Sequence, residues 1–301
     1  MTRTSVGHFV SEEARTAFLA AYDRAMDLWP TPHHALDVET SYGTVHVHHY
    51  GPSTGNPVVL LHGHAGHPAN WHPQIAALGA HRPVYAVSTL DDPGRSVQRA
   101  VAAGPEENAG WLGEVLDGLG LERVHLVGVS YGGWLALNQA VRGPGRLASV
   151  APLDPGGIEK VPARFYVHMI AGLFGMLAPR RLRPALARLL ANPALAAPPE
   201  MLAPLMLAMR TWKPAGRPAA PPFPDDDLRR IAVPALVLIG ARSALLRPGR
   251  VLRRVEALIP GVRAEIVPGA GHGLTLERPD VVNARLLEFF AAAEARAVDA
   301  K

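Results

Sequence analysis

The 301-residue chain contains no cysteine. Disulfides, thiolate metal sites and cysteine nucleophiles are therefore excluded. The chain also lacks any run of about 18 uncharged apolar residues, the length that a membrane-spanning helix needs. Residues 1–9 have no apolar stretch of the kind found in a signal peptide. We therefore expect a cytoplasmic protein without a membrane partner, and nothing in the sequence indicates an oligomeric state.

Charge is scarce as well. Only 19% of the residues are charged whereas 48% are hydrophobic, and this composition is typical of a well-buried globular protein. The formal net charge is only +4, and the basic residues are dispersed along the chain. Arg180, Arg181 and Arg183 form the densest basic cluster, and no aromatic residues interleave with it. No nucleic-acid partner is predicted.

Short apolar runs alternate with helical patterns through most of the chain. The runs predict a leading hairpin and then single strands, at 35–39, 45–50, 58–61, 84–87, 124–127, 147–153, 235–240 and 264–267. Helices are predicted at 12–28, 71–78, 106–119, 134–141 and 248–258, and from 279 onward. This alternation predicts an α/β fold, with a mostly parallel, doubly wound sheet covered on both faces. Function in such a sheet belongs at the carboxyl ends of the strands.

One segment, 156–227, departs from this alternation after the sixth predicted strand. It is rich in Leu, Ala and Pro, and it holds five of the seven methionines: Met169, Met176, Met201, Met206 and Met209. Prolines break it into short helical pieces. We therefore predict a core domain formed by 1–155 and 228–301, and a helical cap formed by 156–227. The methionines either line an apolar pocket or form the cap's own small core.

A glycine-rich turn around Ser130 lies between the predicted strand 124–127 and the helix that follows it. It reads Gly128-Val-Ser130-Tyr-Gly132-Gly133. A serine squeezed between a strand and a helix lies on a sharp, strained turn, which glycines on either side make possible. The hydroxyl then lies at the end of a strand, and the next N–H lies at a helix N-terminus that favours negative charge. The pattern indicates a nucleophile, with a purely structural turn as the alternative.

Three further loops accompany this turn. They are the His-Gly loop 62–64, the loop 91–96 and the loop 269–272 with the following Glu277-Arg-Pro279. All four motifs stand in the order found in the α/β-hydrolase superfamily, and the chain resembles its small bacterial carboxylesterases over nearly its whole length. The resemblance implies an α/β-hydrolase fold, no metal and no organic cofactor.

The same resemblance implies a site. Ser130 would be the nucleophile and His272 the general base. The backbone N–H groups of His64 and Tyr131 would form the oxyanion hole. The substrate implied is a small-molecule ester or thioester.

The sequence departs from the family pattern at the acid, the third catalytic residue expected beside Ser130 and His272. The family usually places it in the loop after the strand at 235–240, where this chain has Ser243. A hydroxyl there can orient His272 but supplies no charge. Asp154, at the end of the strand 147–153, is our candidate because some members of the superfamily place the acid there. The alternatives are a turn-capping role for Asp154, no acid at all, or another carboxylate, namely Asp92, Glu277 or one of Asp225 to Asp227.

We therefore expect a serine hydrolase that cleaves esters of small to medium apolar acids through an acyl-enzyme on Ser130. A thioesterase, a biosynthetic cyclase or an acyltransferase on the same fold is the alternative of the enzymatic kind. The other alternative is a degraded hydrolase fold that binds a ligand or signals, and Ser243 is its basis. His46, His48 and His49 also raise the question of a metal site, but no carboxylate accompanies them in the sequence and we expect them to be structural.

Overall fold

The computed structural model describes residues 5–190, 192–216 and 220–299. Eleven strands lie within these ranges: β1 (His8–Phe9), β2 (His34–Thr40), β3 (Gly43–Tyr50), β4 (Val58–Leu61), β5 (Val84–Val87), β6 (Val97–Gln98), β7 (Val124–Val129), β8 (Leu147–Leu153), β9 (Trp212–Lys213), β10 (Leu236–Gly240) and β11 (Arg263–Val267). Eleven α-helices lie there too: α1 (Glu12–Met26), α2 (His72–Leu78), α3 (Pro105–Gly118), α4 (Tyr131–Arg142), α5 (Ala163–Leu177), α6 (Arg183–Leu190), α7 (Pro199–Thr211), α8 (Asp225–Arg229), α9 (Pro248–Leu258), α10 (Leu274–Glu277) and α11 (Pro279–Asp299).

Nine of these strands form one twisted sheet in the order β11-β10-β8-β7-β4-β5-β3-β2, with β6 pairing to β3. Every neighbouring pair from β11 to β5 is parallel, and the hairpin of β2 and β3 adds antiparallel strands at one edge. The expected fold class, a mostly parallel sheet with helices, is confirmed. Within the described residues, no helix combines the length and apolarity needed to cross a bilayer.

Helices cover both faces of the sheet. Every residue of β4 and β8 is buried, because each of these central strands packs against helices on both sides. One face carries a hydrophobic cluster that includes Trp111 of α3 and Leu135 of α4. The other face carries a cluster that includes Phe18 of α1 and Phe290 of α11. This packing leaves the loops at the carboxyl ends of the parallel strands as the place where polar side chains can meet.

The element boundaries follow the sequence pattern closely, with one exception that matters for the site. Helix α4 begins at Tyr131, directly after Ser130, and not at residue 134 as predicted. The prediction treated Tyr131 to Gly133 as turn because two of these residues are glycines. In the structure they form the first helical turn, and Ser130 is the N-cap residue.

The segment between β8 and β10 contains α5, α6, α7 and α8, with short 3₁₀ turns between α5 and α6 and between α6 and α7. Its helix α7 lies against the N-terminal helix α1. Met201 and Ala208 of α7 belong to the same buried cluster as Phe18 and Tyr22. The short strands β1 and β9 also pair, antiparallel, with His8 opposite Lys213. The N-terminal segment is therefore attached to the inserted helices as well as to the sheet.

Candidate active site

Ser130 lies at the end of β7 in a backbone conformation that side chains rarely adopt, with φ 55° and ψ −115°. Three backbone hydrogen bonds hold it there. Its N–H donates to the carbonyl of Leu153 at 3.1 Å, and its own carbonyl accepts from the N–H groups of Gly156 and Trp134 at 2.9 and 3.1 Å. A strained residue persists only where its surroundings determine it in this way. The hydroxyl is thereby presented at the carboxyl end of the sheet.

The two glycines flanking Ser130 permit the close approach of backbone segments. A Cβ atom at Gly128 would overlap the carbonyl oxygen of Gly132, because the strand passes directly into the helix. A Cβ atom at Gly132 would overlap the carbonyl of Leu61, the last residue of β4. Gly132 therefore lets α4 begin against the strand that leads into the His62 loop.

We expect Gly132→Ala to be destabilising by about 1–3 kcal/mol or more, because its methyl group meets rigid backbone. The same substitution displaces the loop after β4 and should lower kcat/KM. Urea unfolding and ester hydrolysis measure the two effects. Gly113→Ala is the matched control, since Gly113 lies in α3 with no neighbour within 4 Å of an added Cβ. It should be stabilising by up to about 1 kcal/mol. Equal stability of the two variants would contradict the proposed close approach.

His272 lies in the loop between β11 and α10, within reach of both partners predicted for it. Its Nε2 is 3.0 Å from Ser130 Oγ, and its Nδ1 is 2.6 Å from Asp154 Oδ2. The loop is held by Glu277, whose carboxylate accepts a hydrogen bond from the N–H of Gly271 at 3.1 Å. The edge of the Phe165 ring packs against the imidazole, with 5.6 Å between ring centroids. His272 thus joins Ser130 and Asp154, each more than 100 positions before it in the sequence, in one hydrogen-bonded chain.

Asp154 is completely buried at the end of β8, and three donors surround its carboxylate. The N–H of Gly240 donates to Oδ1 at 2.9 Å. The hydroxyl of Ser243 donates to Oδ2 at 2.6 Å, and His272 Nδ1 lies at the same oxygen. A buried carboxylate is costly unless it is hydrogen-bonded, and these contacts offset that cost. A φ of 43° turns Asp154 toward the histidine.

Ser243, the residue found where the family usually has its acid, supports the carboxylate on the neighbouring strand. Its hydroxyl bonds to Asp154, not to His272, and accepts from the N–H of Leu246 at 3.0 Å. The sequence predicted that this hydroxyl could orient the imidazole directly, and the structure places it one contact further away. No sequence signal distinguished these two arrangements, since they differ only in which side chain the hydroxyl faces.

The other carboxylates considered for this role are engaged elsewhere. Asp225 pairs with Arg254 at 2.6 Å, and Asp226 pairs with Arg229 at 2.6 Å. Asp227 pairs with Arg142 and Arg230, and Glu277 holds the histidine loop. Asp92 contacts the loop after β4.

Asp92 holds the loop that carries His64. This buried carboxylate accepts from the N–H of Ala65 at 2.8 Å and from the hydroxyl of Thr89 at 3.0 Å. Its Oδ1 also lies 2.9 Å from His64 Nδ1. Burial acts to raise the pKa of Asp92, but the hydrogen bond and charge of His64 bring it below its usual value. The loop is therefore anchored beside Ser130, since a Cβ atom added at Gly63 would lie 3.2 Å from the Cβ of Ser130.

Tyr131 occupies the first position of α4, where backbone N–H groups point out of the helix end. Its side chain turns away toward a second buried carboxylate. The phenol donates to Asp91 Oδ2 at 2.9 Å, and the other oxygen of Asp91 accepts from Gln98 at 3.1 Å. Sequence reasoning placed Asp91 in a loop motif but did not predict this link between that loop and the serine turn.

A cavity of about 680 Å³ adjoins the loop after β4, between the sheet and the inserted helices. Ala65, Arg242 and Glu277 line it from one side, and Met201 and Leu205 from the other. Three of the five methionines of the inserted segment line a cavity, as one of the two sequence-based alternatives predicted, and two fit neither alternative. Met176 and Met206 line a second cavity, of about 440 Å³, whereas Met169 and Met209 are exposed to solvent.

The histidines of β3 make separate contacts. His46 Nδ1 lies 2.6 Å from Asp37, and His49 packs on the ring of Tyr85 at 4.7 Å. His48 Nε2 accepts from the hydroxyl of Tyr22 at 2.9 Å. Burial lowers the pKa of His48 to about 3, so that it is neutral and can accept this hydrogen bond.

Comparisons with known proteins agree with this architecture. A sequence model described as the alpha/beta hydrolase family matches residues 58–285. Carboxylesterase YbfK of Bacillus subtilis is 31% identical over 297 residues, covering 93% of this chain and 96% of that protein. The crystal structure of that protein, carboxylesterase CesB (YbfK), superimposes with a TM-score of 0.81 at 30% identity and covers 93% and 99% of the two chains. The naproxen esterase of Bacillus subtilis superimposes with a TM-score of 0.81 at 28% identity, covering 91% and 97%. The expected likeness to bacterial carboxylesterases is confirmed, and the chain belongs to the alpha/beta hydrolase family.

Proposed function

We propose that this protein is a serine esterase that hydrolyses carboxylic esters with small to medium apolar acyl groups. The observation that carries the proposal is the hydrogen-bonded chain from Ser130 through His272 to Asp154. The names of the relatives support ester hydrolysis, since both the sequence relative and the solved structures are called carboxylesterases or esterases.

In this mechanism His272 takes the hydroxyl proton as Ser130 Oγ attacks the ester carbonyl. Asp154 accepts from Nδ1–H, which keeps Nε2 free to act as base and stabilises the imidazolium that forms. His272 then returns the proton to the leaving alkoxide, giving the alcohol and an acyl-enzyme. Water, activated by the same imidazole, attacks the acyl carbonyl, and the acid is released as Ser130 recovers its proton.

We place the oxyanion hole at the backbone N–H groups of Tyr131 and His64. Two observations support this position. Tyr131 begins α4, so its N–H lies at the positive end of the helix next to the nucleophile. A Cβ atom added at Gly63 would lie 3.2 Å from the Cβ of Ser130, so the loop that carries His64 passes close to the nucleophile. Loss of one such donor typically lowers turnover by about 10²–10³-fold.

The inserted segment 156–227 would act as a cap over this site. Phe165 of α5 packs on His272, and the cavity of about 680 Å³ lies beneath α6 and α7. The lining of that cavity combines apolar side chains, such as Met201 and Leu205, with polar ones, such as Glu277. Its apolar part favours an apolar acyl or alcohol group. No protein group in this mechanism requires a metal or an organic cofactor.

Labelling with a fluorophosphonate, together with hydrolysis of p-nitrophenyl esters of graded chain length, tests the proposal. We expect one covalent adduct, mapped by peptide mass spectrometry to Ser130, and faster turnover of short and medium esters than of long ones. Heat-denatured protein is the control for non-specific labelling. If the protein is not labelled and shows no turnover, the result would favour the non-catalytic alternative, in which the fold binds a ligand. Faster turnover of acyl-thioesters than of the matching oxyesters would favour the thioesterase alternative.

A further inference from the structure

Helix α5 has two faces of different character. Phe165, Gly172 and Gly175 lie on the face toward the protein, where Phe165 reaches His272. His168 lies on the same face, half-buried, and burial followed by the proximity of His272 lowers its pKa. The helix is fixed at its start by Arg164, whose guanidinium donates to the carbonyls of Ala244 and Leu246. The orientation of α5 above the candidate active site is therefore well determined by contacts.

The opposite face of α5 is apolar and exposed to solvent. Seven large side chains on it are each between 40% and 75% exposed: Tyr166, Val167, Met169, Ile170, Leu173, Phe174 and Leu177. We call these seven residues the apolar face. A surface helix ordinarily carries charged or polar residues on its outer side. Patches of large apolar side chains on this scale mark interaction surfaces, since monomers rarely expose contiguous ones beyond a few hundred Å².

The segment that carries the apolar face is basic, and Glu159 and Glu200 lie just outside it in the sequence. From Lys160 to Pro199 the sequence contains no Asp or Glu, and it contains six basic residues: Lys160, Arg164, Arg180, Arg181, Arg183 and Arg188. Arg180 and Arg181 follow directly after the C-terminal end of α5 and are exposed. A partner that covers the apolar face would therefore meet positive charge at its edge.

An apolar cavity adjoins the same end of the helix. The cavity of about 440 Å³ is lined by Met176, Leu202 and Met206, with Arg180 and Arg183 among its other walls. Apolar walls next to guanidinium groups match the chemistry of a molecule that has both an acyl chain and an anionic head group.

We propose that the apolar face of α5, together with Arg180 and Arg181, docks on the surface of an anionic lipid bilayer. An amphipathic helix with a basic flank binds in this way, in the plane of the interface and without crossing it. A second copy of this chain suits the surface less well, because two such segments facing each other would bring their arginines together, and the acidic residues next in sequence, Glu159 and Glu200, lie outside the segment. The inference goes beyond the proposed esterase activity, and a measurement of membrane binding alone tests it.

The test is co-sedimentation of the full-length Ser130→Ala protein with large unilamellar vesicles, so that no lipid is hydrolysed during the measurement. We expect binding to vesicles of equal parts phosphatidylglycerol and phosphatidylcholine, and much weaker binding to phosphatidylcholine alone. Arg180→Gln combined with Arg181→Gln should lower the partition coefficient roughly ten- to thirtyfold, because each basic residue near an anionic surface contributes about 1 kcal/mol. Phe174→Gln combined with Leu177→Gln should lower it by about tenfold or more.

Two matched pairs serve as controls. Arg250→Gln with Arg253→Gln removes two exposed arginines of α9, and Val10→Gln with Val97→Gln removes two exposed valines away from α5. Both pairs should bind vesicles as the parent does. Three results would each overturn the proposal: no binding to anionic vesicles, equal binding to both vesicle types, or a dimer that depends on Phe174 and Leu177 and forms without vesicles.

Discussion

Replacement of Ser130 by alanine is expected to lower kcat for a p-nitrophenyl ester by about 10⁶-fold, the scale of loss when the nucleophile of a serine hydrolase is removed. The reason is that no other hydroxyl contacts His272 in the part of the chain that the structure describes. The three backbone hydrogen bonds that hold residue 130 do not involve its side chain. The unfolding midpoint in urea should therefore stay close to that of the parent protein.

Ser11→Ala separates catalysis from stability in this experiment. Ser11 caps α1, and its hydroxyl accepts from the N–H of Ala14 at 3.2 Å. Its removal should cost about 1 kcal/mol of stability while leaving kcat unchanged. If Ser130→Ala kept its rate within a few-fold of the parent, the assignment of the nucleophile would be wrong.

Asp154→Asn carries the second large effect, a loss in kcat of about 10⁴-fold, as found for the corresponding change in serine proteases. All three neighbours of this carboxylate are donors: the Gly240 N–H, the Ser243 hydroxyl and His272 Nδ1–H. An amide must present its own NH₂ to one side or the other. If the NH₂ group takes the place of Oδ1, it faces the N–H of Gly240, and two donors meet. If it takes the place of Oδ2, it donates to His272 Nδ1, and the imidazole then carries its proton on Nε2 and cannot accept the Ser130 proton.

Steady-state kinetics of Asp154→Asn measure this loss, and Asp227→Asn is the matched control. Asp227 is also buried, but it pairs with Arg142 and Arg230 and makes no contact with His272. It should lose stability and keep kcat. Little change in kcat for Asp154→Asn would show that another group serves as the acid.

Ser243→Asp extends this experiment to the position where the family usually has its acid. In the parent protein the second carboxylate would lie against Asp154, and the repulsion of two buried negative charges should lower stability. Combined with Asp154→Asn, the new carboxylate lies next to the residue that contacts the imidazole, and we expect it to recover part of the lost rate if it reaches His272. The kcat of the double variant therefore tests whether the acid can occupy either of two adjacent strand ends.

The fold was largely predictable because its signals are local. The apolar runs that became β4, β7, β8 and β10 are short and uninterrupted, as expected of strands covered on both faces. The serine turn was equally predictable from the sequence. Only a small residue tolerates the close approach of position 132 to the carbonyl of Leu61, and the glycine there is visible in the sequence. His272 could be placed because a glycine-rich loop follows the last strand.

The parts that were not predictable depend on contacts between distant residues. The pairing of β1 with β9 involves two residues on each strand, too few to produce a periodic pattern. The bond from Ser243 to Asp154 joins residues 89 positions apart, and the sequence alone suggested His272 as the partner of each. The exposure of the apolar face of α5 was also hidden, because a helix with Leu, Ile and Phe on its outer side reads like a buried one.

The attachment of the N-terminal segment to the inserted helices determines which parts of the chain we expect to unfold together in local opening. Phe9 of β1 packs on Trp212 of β9 at 4.8 Å and on Phe18 of α1 at 5.0 Å, so one aromatic cluster joins residues about 200 positions apart. Local opening in a native protein proceeds by cooperative blocks whose members lose their protection from hydrogen exchange together. Because α1 and α7 share one buried cluster, we expect them to open as one such block. The amides of α1 should then exchange with solvent at the same rate as those of α7.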